Sequence, residues 1–203
     1  IHPNRHGIYN NVDVITMPGA MKPERILMPH FQQAGYATGI IGKWHLGPHD
    51  HGLSDAILKK HGLAADTYVH GIPKNGPCGR ELVERGFFGS VAPALHPLKN
   101  GFDYYYGYNY HQSPFYEAYN VWENDKHAGK QPGYNTEVFT DKALEFIDSA
   151  EKDGKPFFLS MNVHAVHGPL LPEPPARYMK PFTGLPHILE NFYGHFYAVD
   201  EGI

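Results

Sequence analysis

Between Pro29 and Ile41 the spacing of apolar residues changes its period. Phe31 and Ala34 stand three apart, behind a proline at a first helical position and ahead of Gly35, which describes a short helix. Tyr36 to Ile41 is then nearly continuous in β-branched, aromatic and small residues and reads as a mostly buried strand. The same unit recurs downstream. Phe139, Ala143, Phe146, Ile147 and Ala150 fall at spacings of three and four, so Thr136 to Glu151 is predicted helical, with Asn135 or Thr136 as its cap and Gly154 beyond its end. Pro156 to Val163 follows as an interior strand with Phe157, Phe158, Leu159, Met161 and Val163 apolar. Helix-to-strand units repeated in this order predict an α/β fold with a mainly parallel sheet flanked by helices. From Ile188 onward, Leu189, Phe192, Phe196 and Val199 predict a last amphipathic helix, and the proline-rich run Leu171 to Pro175 is a surface connector. Pro48 to Asn100 keeps no period. It reads as a long irregular tract with one helix capped by Ser54 and stopped near Gly62, and a second short one around Arg80 to Arg85.

Polar residues cluster where the two predicted strands end. Lys43 and His45 follow the first, between Gly42 and Gly47. If the chain stays extended there, alternation puts Lys43 and His45 on one face and sends Trp44 into the core. The second strand is followed by His164-Ala165-Val166-His167-Gly168-Pro169. In parallel sheets, sites form where the carboxyl ends of strands meet, so these two ends are expected to face one pocket. His164 and His167 could clip a metal. Their i, i+3 spacing suits a helix rather than a strand exit, however, and no cysteine or carboxylate is placed to complete a tetrahedron, so no metal ligand is assigned in this chain. His164 is read as a hydrogen-bonded core histidine.

Composition narrows the partners. Hydrophobic residues make up 41% and charged residues 19% of the 203, and no apolar run reaches the length that spans a bilayer. The net charge is −4 with scattered basic residues, which leaves no electrostatic footprint for nucleic acid or an anionic membrane. A single cysteine, Cys78, rules out an internal disulfide. The chain opens on Ile1, so any signal peptide is expected upstream of it.

The stretch Gly35-Tyr36-Ala37-Thr38-Gly39-Ile40-Ile41-Gly42-Lys43-Trp44-His45-Leu46-Gly47 resembles the second signature of the sulfatase family, Gly-Tyr-x-Thr, three residues, then Gly-Lys-Trp-His-Leu-Gly. Gly101-Phe102-Asp103-Tyr104-Tyr105-Tyr106-Gly107 is similar to a Gly-Phe-Asp-x-x-Tyr-Gly segment of that family, either a buried structural cluster or a sugar-stacking platform. His167-Gly168-Pro169 matches its His-x-Pro, and the helix after Ile188 is similar to its Tyr-x-x-x-Val-x-x-x-Asp helix. Pro3, Arg5 and Gly7 resemble the segment just after the formylglycine signature, so the nucleophile is expected upstream of Ile1.

The resemblance implies an alkaline-phosphatase-like α/β fold. It makes residues 1–203 part of a sulfatase catalytic domain with an insertion at 48–100, from a parent that hydrolyses a sulfate ester of an aryl, sugar or sterol alcohol. It implies that Lys43 binds sulfate and the aldehyde hydrate, that His45 acts as base in releasing sulfate from the hemiacetal, and that His167 contacts or protonates the leaving oxygen. Catalytic residues are thus Lys43, His45 and His167, with Lys43 and His167 also binding substrate. It further implies Ca2+ held by ligands outside this chain, an extracytoplasmic location (periplasmic, secreted or lysosomal), and no activity from residues 1–203 alone. Cys78 is set aside as nucleophile, because Arg80 and Leu82 stand where the formylglycine signature needs proline and arginine. A phosphodiesterase or phosphonate hydrolase of the same superfamily, or a non-catalytic truncated product, are the alternatives.

Overall fold

The computed structural model describes residues 26–109 and 113–203; the segment from Pro3 to Gly7 lies outside the described residues. The centre is β1 (Ala37–Lys43), whose five inner residues are all buried. It is preceded by α1 (Met28–Gln33), which carries Pro29 in its first turn, and the chain reverses at Gly35 with φ 86°. β2 (Tyr104–Tyr108) and β7 (Phe157–Asn162) flank β1, both parallel to it. The short β4 (Trp122–Glu123) and β5 (Lys126–His127) add antiparallel to the β2 side, giving the order β5-β4-β2-β1-β7. β3 (Tyr116–Ala118) and β6 (Gln131–Tyr134) pair separately.

Both faces of the sheet are covered, which explains why β1 is apolar without interruption. Ile41, Tyr106 and Tyr108 point to one face and pack on Phe139 and Ala143 of α4 (Asn135–Lys152). Ile40 and Tyr105 point to the other, against Met28, Trp44, Val91 and Phe102. Tyr105, Tyr106 and Tyr108 are at most 1% exposed, so these three rings are core, whereas Tyr104 is half-buried. Asp103 is structural, since its carboxylate accepts from the Thr38 backbone amide at 2.9 Å and from Gln32 at 2.6 Å, tying β2 to β1 and α1.

The tract from Pro48 to Asn100 is more ordered than its sequence suggests. It holds α2 (His51–Lys60) and α3 (Pro77–Glu84), followed by three single 3-10 turns between Phe87 and Lys99. Ile57, Leu58, Cys78, Leu82, Phe87 and Phe88 close a core of their own. The cap of α2 is Asp50, which accepts from the Leu53 amide at 3.2 Å; Ser54 sits inside the helix with its hydroxyl on the His51 carbonyl. At α4 neither expected residue caps. The N-cap is Tyr134 without a side-chain bond, and the Asn135 amide donates instead to the Pro114 carbonyl at 3.1 Å.

The last strand and the last helix are covered only in part. Among the described residues β7 pairs with β1 alone, and Phe157 is 43% exposed. After α5 (Ala176–Met179), the last helix α6 (His187–Glu201) buries Phe192 and Val199 of the predicted stripe only in part. Asn191, Gly194, His195 and Ala198 are buried, whereas Ile188, Leu189 and Phe196 are exposed. The buried face is hydrogen-bonded. The Asn191 amide donates to the Leu170 carbonyl at 2.6 Å, and His195 sits between that carbonyl and the Tyr134 hydroxyl. Gly194 allows the close approach, since a Cβ there would lie 2.9 Å from Met179.

Candidate active site

At the carboxyl ends of β1 and β7 lies a cavity of about 610 Å³. Lys43, His45 and His167 all line it, although more than a hundred residues separate the first pair from the last. Strand pairing accomplishes this, because Gly42 stands opposite Asn162 in the β1–β7 register and Lys43 opposite Tyr108 in β2. Gly42 is required there: its φ is 104°, and a Cβ would fall 2.1 Å from the Asn162 carbonyl oxygen. Trp44 turns inward as alternation predicts, 7% exposed, with its indole N–H on the Leu95 carbonyl at 3.0 Å. His45 does not continue the extended chain. It has φ 50°, a left-handed conformation unusual for a side-chain-bearing residue.

Asn109 holds this bend from behind. Fully buried, its amide donates to the carbonyls of Gly47 and Ser90, each at 3.0 Å, and so fixes the turn after His45 against the neighbouring tract. Nothing in the periodicity marks Asn109, because its role depends on carbonyls brought together by the fold.

The histidines differ in state. His167 is exposed, and its Nδ1 lies 2.7 Å from the Gly168 carbonyl. A carbonyl only accepts, so Nδ1 carries the hydrogen and Nε2 is the atom left for chemistry. His164 is 6% exposed, with Nδ1 3.1 Å from the Tyr108 hydroxyl. Burial, then the neighbouring charges of His167, Lys43 and His195, push its pKa down to about 4. It is a neutral, hydrogen-bonded histidine, as its sequence context predicts, and its ring lies 5.7 Å from that of His167. Burial also draws the Lys43 ammonium below its usual pKa.

The rest of the lining carries no mark in the sequence. His70, Lys74 and Phe88 enter from the Pro48 to Asn100 tract, and Phe115, Tyr119 and Asn120 from the chain on either side of β3. The described lining includes two lysines and four histidines and no carboxylate. Such a surface suits an anion. It does not fit Ca2+, which takes hard oxygen ligands, and among the described residues no three His, Cys, Asp or Glu side chains are grouped to hold a metal. Cys78 is not part of the lining. It is 7% exposed in the apolar core beneath α2 and α3, and burial with the nearby Glu81 raises its thiol pKa, which disfavours the nucleophilic thiolate.

The chain has relatives among known proteins. It is 27% identical over 201 residues to an uncharacterized sulfatase, YdeN, of Escherichia coli, covering 99% of this chain and 32% of that protein. It is 30% identical over 169 residues to human arylsulfatase G, covering 82% of this chain and 30% of the relative. It therefore spans about a third of the length of these curated relatives. In fold it is similar to the crystal structure of Ps i-CgsB bound to a neocarrahexaose, with a TM-score of 0.69 at 20% identity over 98% of this chain and 39% of that one. The family model described as Sulfatase matches residues 1–203, and with the signature around Lys43 at the mouth of this cavity, the chain belongs to the sulfatase family.

Proposed function

We propose that the protein to which this chain belongs hydrolyses sulfate esters, with Lys43, His45 and His167 acting on the sulfate group. One observation carries the reading: three polar side chains from two distant strand ends line one cavity whose described lining is cationic or neutral. Lys43 is a partly desolvated cation. An entering sulfate is its counterion, and the ammonium offsets the charge that develops on the sulfuryl oxygens. His167 presents Nε2, which as imidazolium donates a proton to the departing alcohol oxygen. His45 is the second histidine of the site and serves as general base when sulfate is released.

Family membership implies a metal and a formylglycine in general terms, the latter supplying the attacking oxygen. The described lining does not fit the metal, and no step here is assigned to it. The substrate is an aryl, sugar or sterol sulfate. N-acetylgalactosamine-6-sulfatase, 25% identical over 168 residues in the pig protein, is a relative whose name points to a sugar sulfate. An extracytoplasmic location belongs to the same reading.

The test is turnover of a chromogenic aryl sulfate by the full-length protein, beside an aryl phosphodiester. Lys43→Ala, His45→Ala and His167→Ala are each expected to lower kcat by roughly 100-fold or more. Preferred cleavage of the phosphodiester, or full activity in all three variants, overturns the proposal.

A further inference from the structure

The cavity has a second cationic wall that the chemistry above does not use. Lys74 reaches it from the segment between α2 and α3, 14 residues beyond the last residue of α2 and three before the first of α3. Its ammonium lies 4.8 Å from the centre of the Phe88 ring and 5.0 Å from that of Tyr119, and it donates to the Tyr119 hydroxyl at 2.5 Å. One ring face, that of Phe88, and the hydroxyl edge of Tyr119 therefore aim one cation. His70, whose ring is 5.8 Å from Phe88, lies close enough to Lys74 that the ammonium helps to lower the histidine's pKa, after burial. Phe88 is 8% exposed and anchored in the core of the tract, so the platform beneath Lys74 is rigid.

A cavity of about 610 Å³ is of the size that encloses a whole organic ligand, not a lone sulfate. Lys43, His45 and His167 occupy the side built from strand ends, while His70, Lys74 and Phe88 come from the tract. We propose that Lys74, seated on Phe88 and bonded to the Tyr119 hydroxyl beside His70, is a specificity residue that binds a second anionic group of the substrate. The substrate class is then a saccharide carrying, besides the scissile sulfate ester, another sulfate or a carboxylate. The half-buried Tyr119 ring, which lines the cavity, supplies a surface for a sugar ring, and the Lys74 ammonium supplies the charge-assisted hydrogen bond that selects the doubly charged ligand. The tract from Pro48 to Asn100 thereby has a function: it folds around its own core in order to present this wall.

This inference rests on the sulfate-ester reading for the orientation of the ligand, and binding separates the two. Calorimetric affinities of the full-length protein are measured for three probes: a disaccharide monosulfate, the same disaccharide with a second sulfate, and the monosulfate with a uronic acid as its second ring. The expected result is a preference of about 10-fold or more for at least one doubly anionic probe, weakening as salt is raised. Lys74→Ala brings that ratio close to one, and Lys74→Arg keeps most of it. Which doubly anionic probe wins identifies the second group as sulfate or carboxylate. Equal affinity for all three probes, or a ratio unchanged in Lys74→Ala, overturns the subsite. Hydrolysis is read separately on the same probes. A retained preference without turnover removes the sulfatase reading and leaves the anion subsite standing.

Discussion

The side-chain amide of Asn162 donates to the backbone carbonyl of Lys43 across 3.1 Å, joining residues 119 positions apart. The Ser160 hydroxyl donates to the other end of the same amide at 3.2 Å and so orients it. Asn162 ends β7 and Lys43 ends β1, so this bond fastens together the two strand ends from which the proposed catalytic groups project.

Removing it tests how far the site depends on that fastening. Asn162→Ala is expected to cost about 1 kcal/mol of stability, the usual net value of one such bond, and to lower kcat/KM on an aryl sulfate about 10-fold by loosening Lys43. Asn162→Asp is expected to lose more, since a carboxylate beside the Lys43 carbonyl repels it and opposes sulfate. Steady-state kinetics with a melting curve separates the two effects; wild-type kcat/KM in Asn162→Ala would show that strand pairing alone holds Lys43.

His164 predicts a pH dependence of stability. Its pKa is about 4 in the fold against 6.5 ordinarily, so below pH 6.5 the unfolded chain binds a proton that the folded one refuses. Stability is therefore expected to fall as pH drops from 6.5 towards 4, by up to roughly 3 kcal/mol from this residue. His164→Gln should flatten that part of the curve. Denaturant midpoints measured between pH 7 and 4 check it, and parallel curves for the two proteins would show that His164 is not the titrating group.

Cys78 is expected to be dispensable for catalysis. Cys78→Ala removes one sulfur from a small apolar core and should cost stability of about 1 kcal/mol while leaving aryl sulfate turnover within about two-fold. A loss of several orders of magnitude would place the nucleophile in the Pro48 to Asn100 tract, contrary to the burial of this thiol.

Local sequence determined the helix-to-strand units and the motif that ends β1, because period, glycine placement and side-chain alternation are properties of neighbours along the chain. Tyr36 to Ile41 could only be read as a strand, and Trp44 could only be its inward-facing neighbour. The polar ends at Lys43 and His167 were equally legible, since they interrupt apolar runs. Where neighbours in space decide, sequence was silent or pointed the wrong way. The buried face of α6 is held by Asn191 and His195 bonding the Leu170 carbonyl, a partner more than twenty residues away that no local pattern marks. The cap of α2 went to Asp50 instead of Ser54 because the helix begins one turn earlier than its apolar residues suggest. Lys74 and His70 belong to the cavity only because the core of Ile57, Leu58, Leu82, Phe87 and Phe88 folds their segment towards the strand ends. A contact between residues 30 or 100 apart leaves no periodic trace, and tertiary packing alone made it.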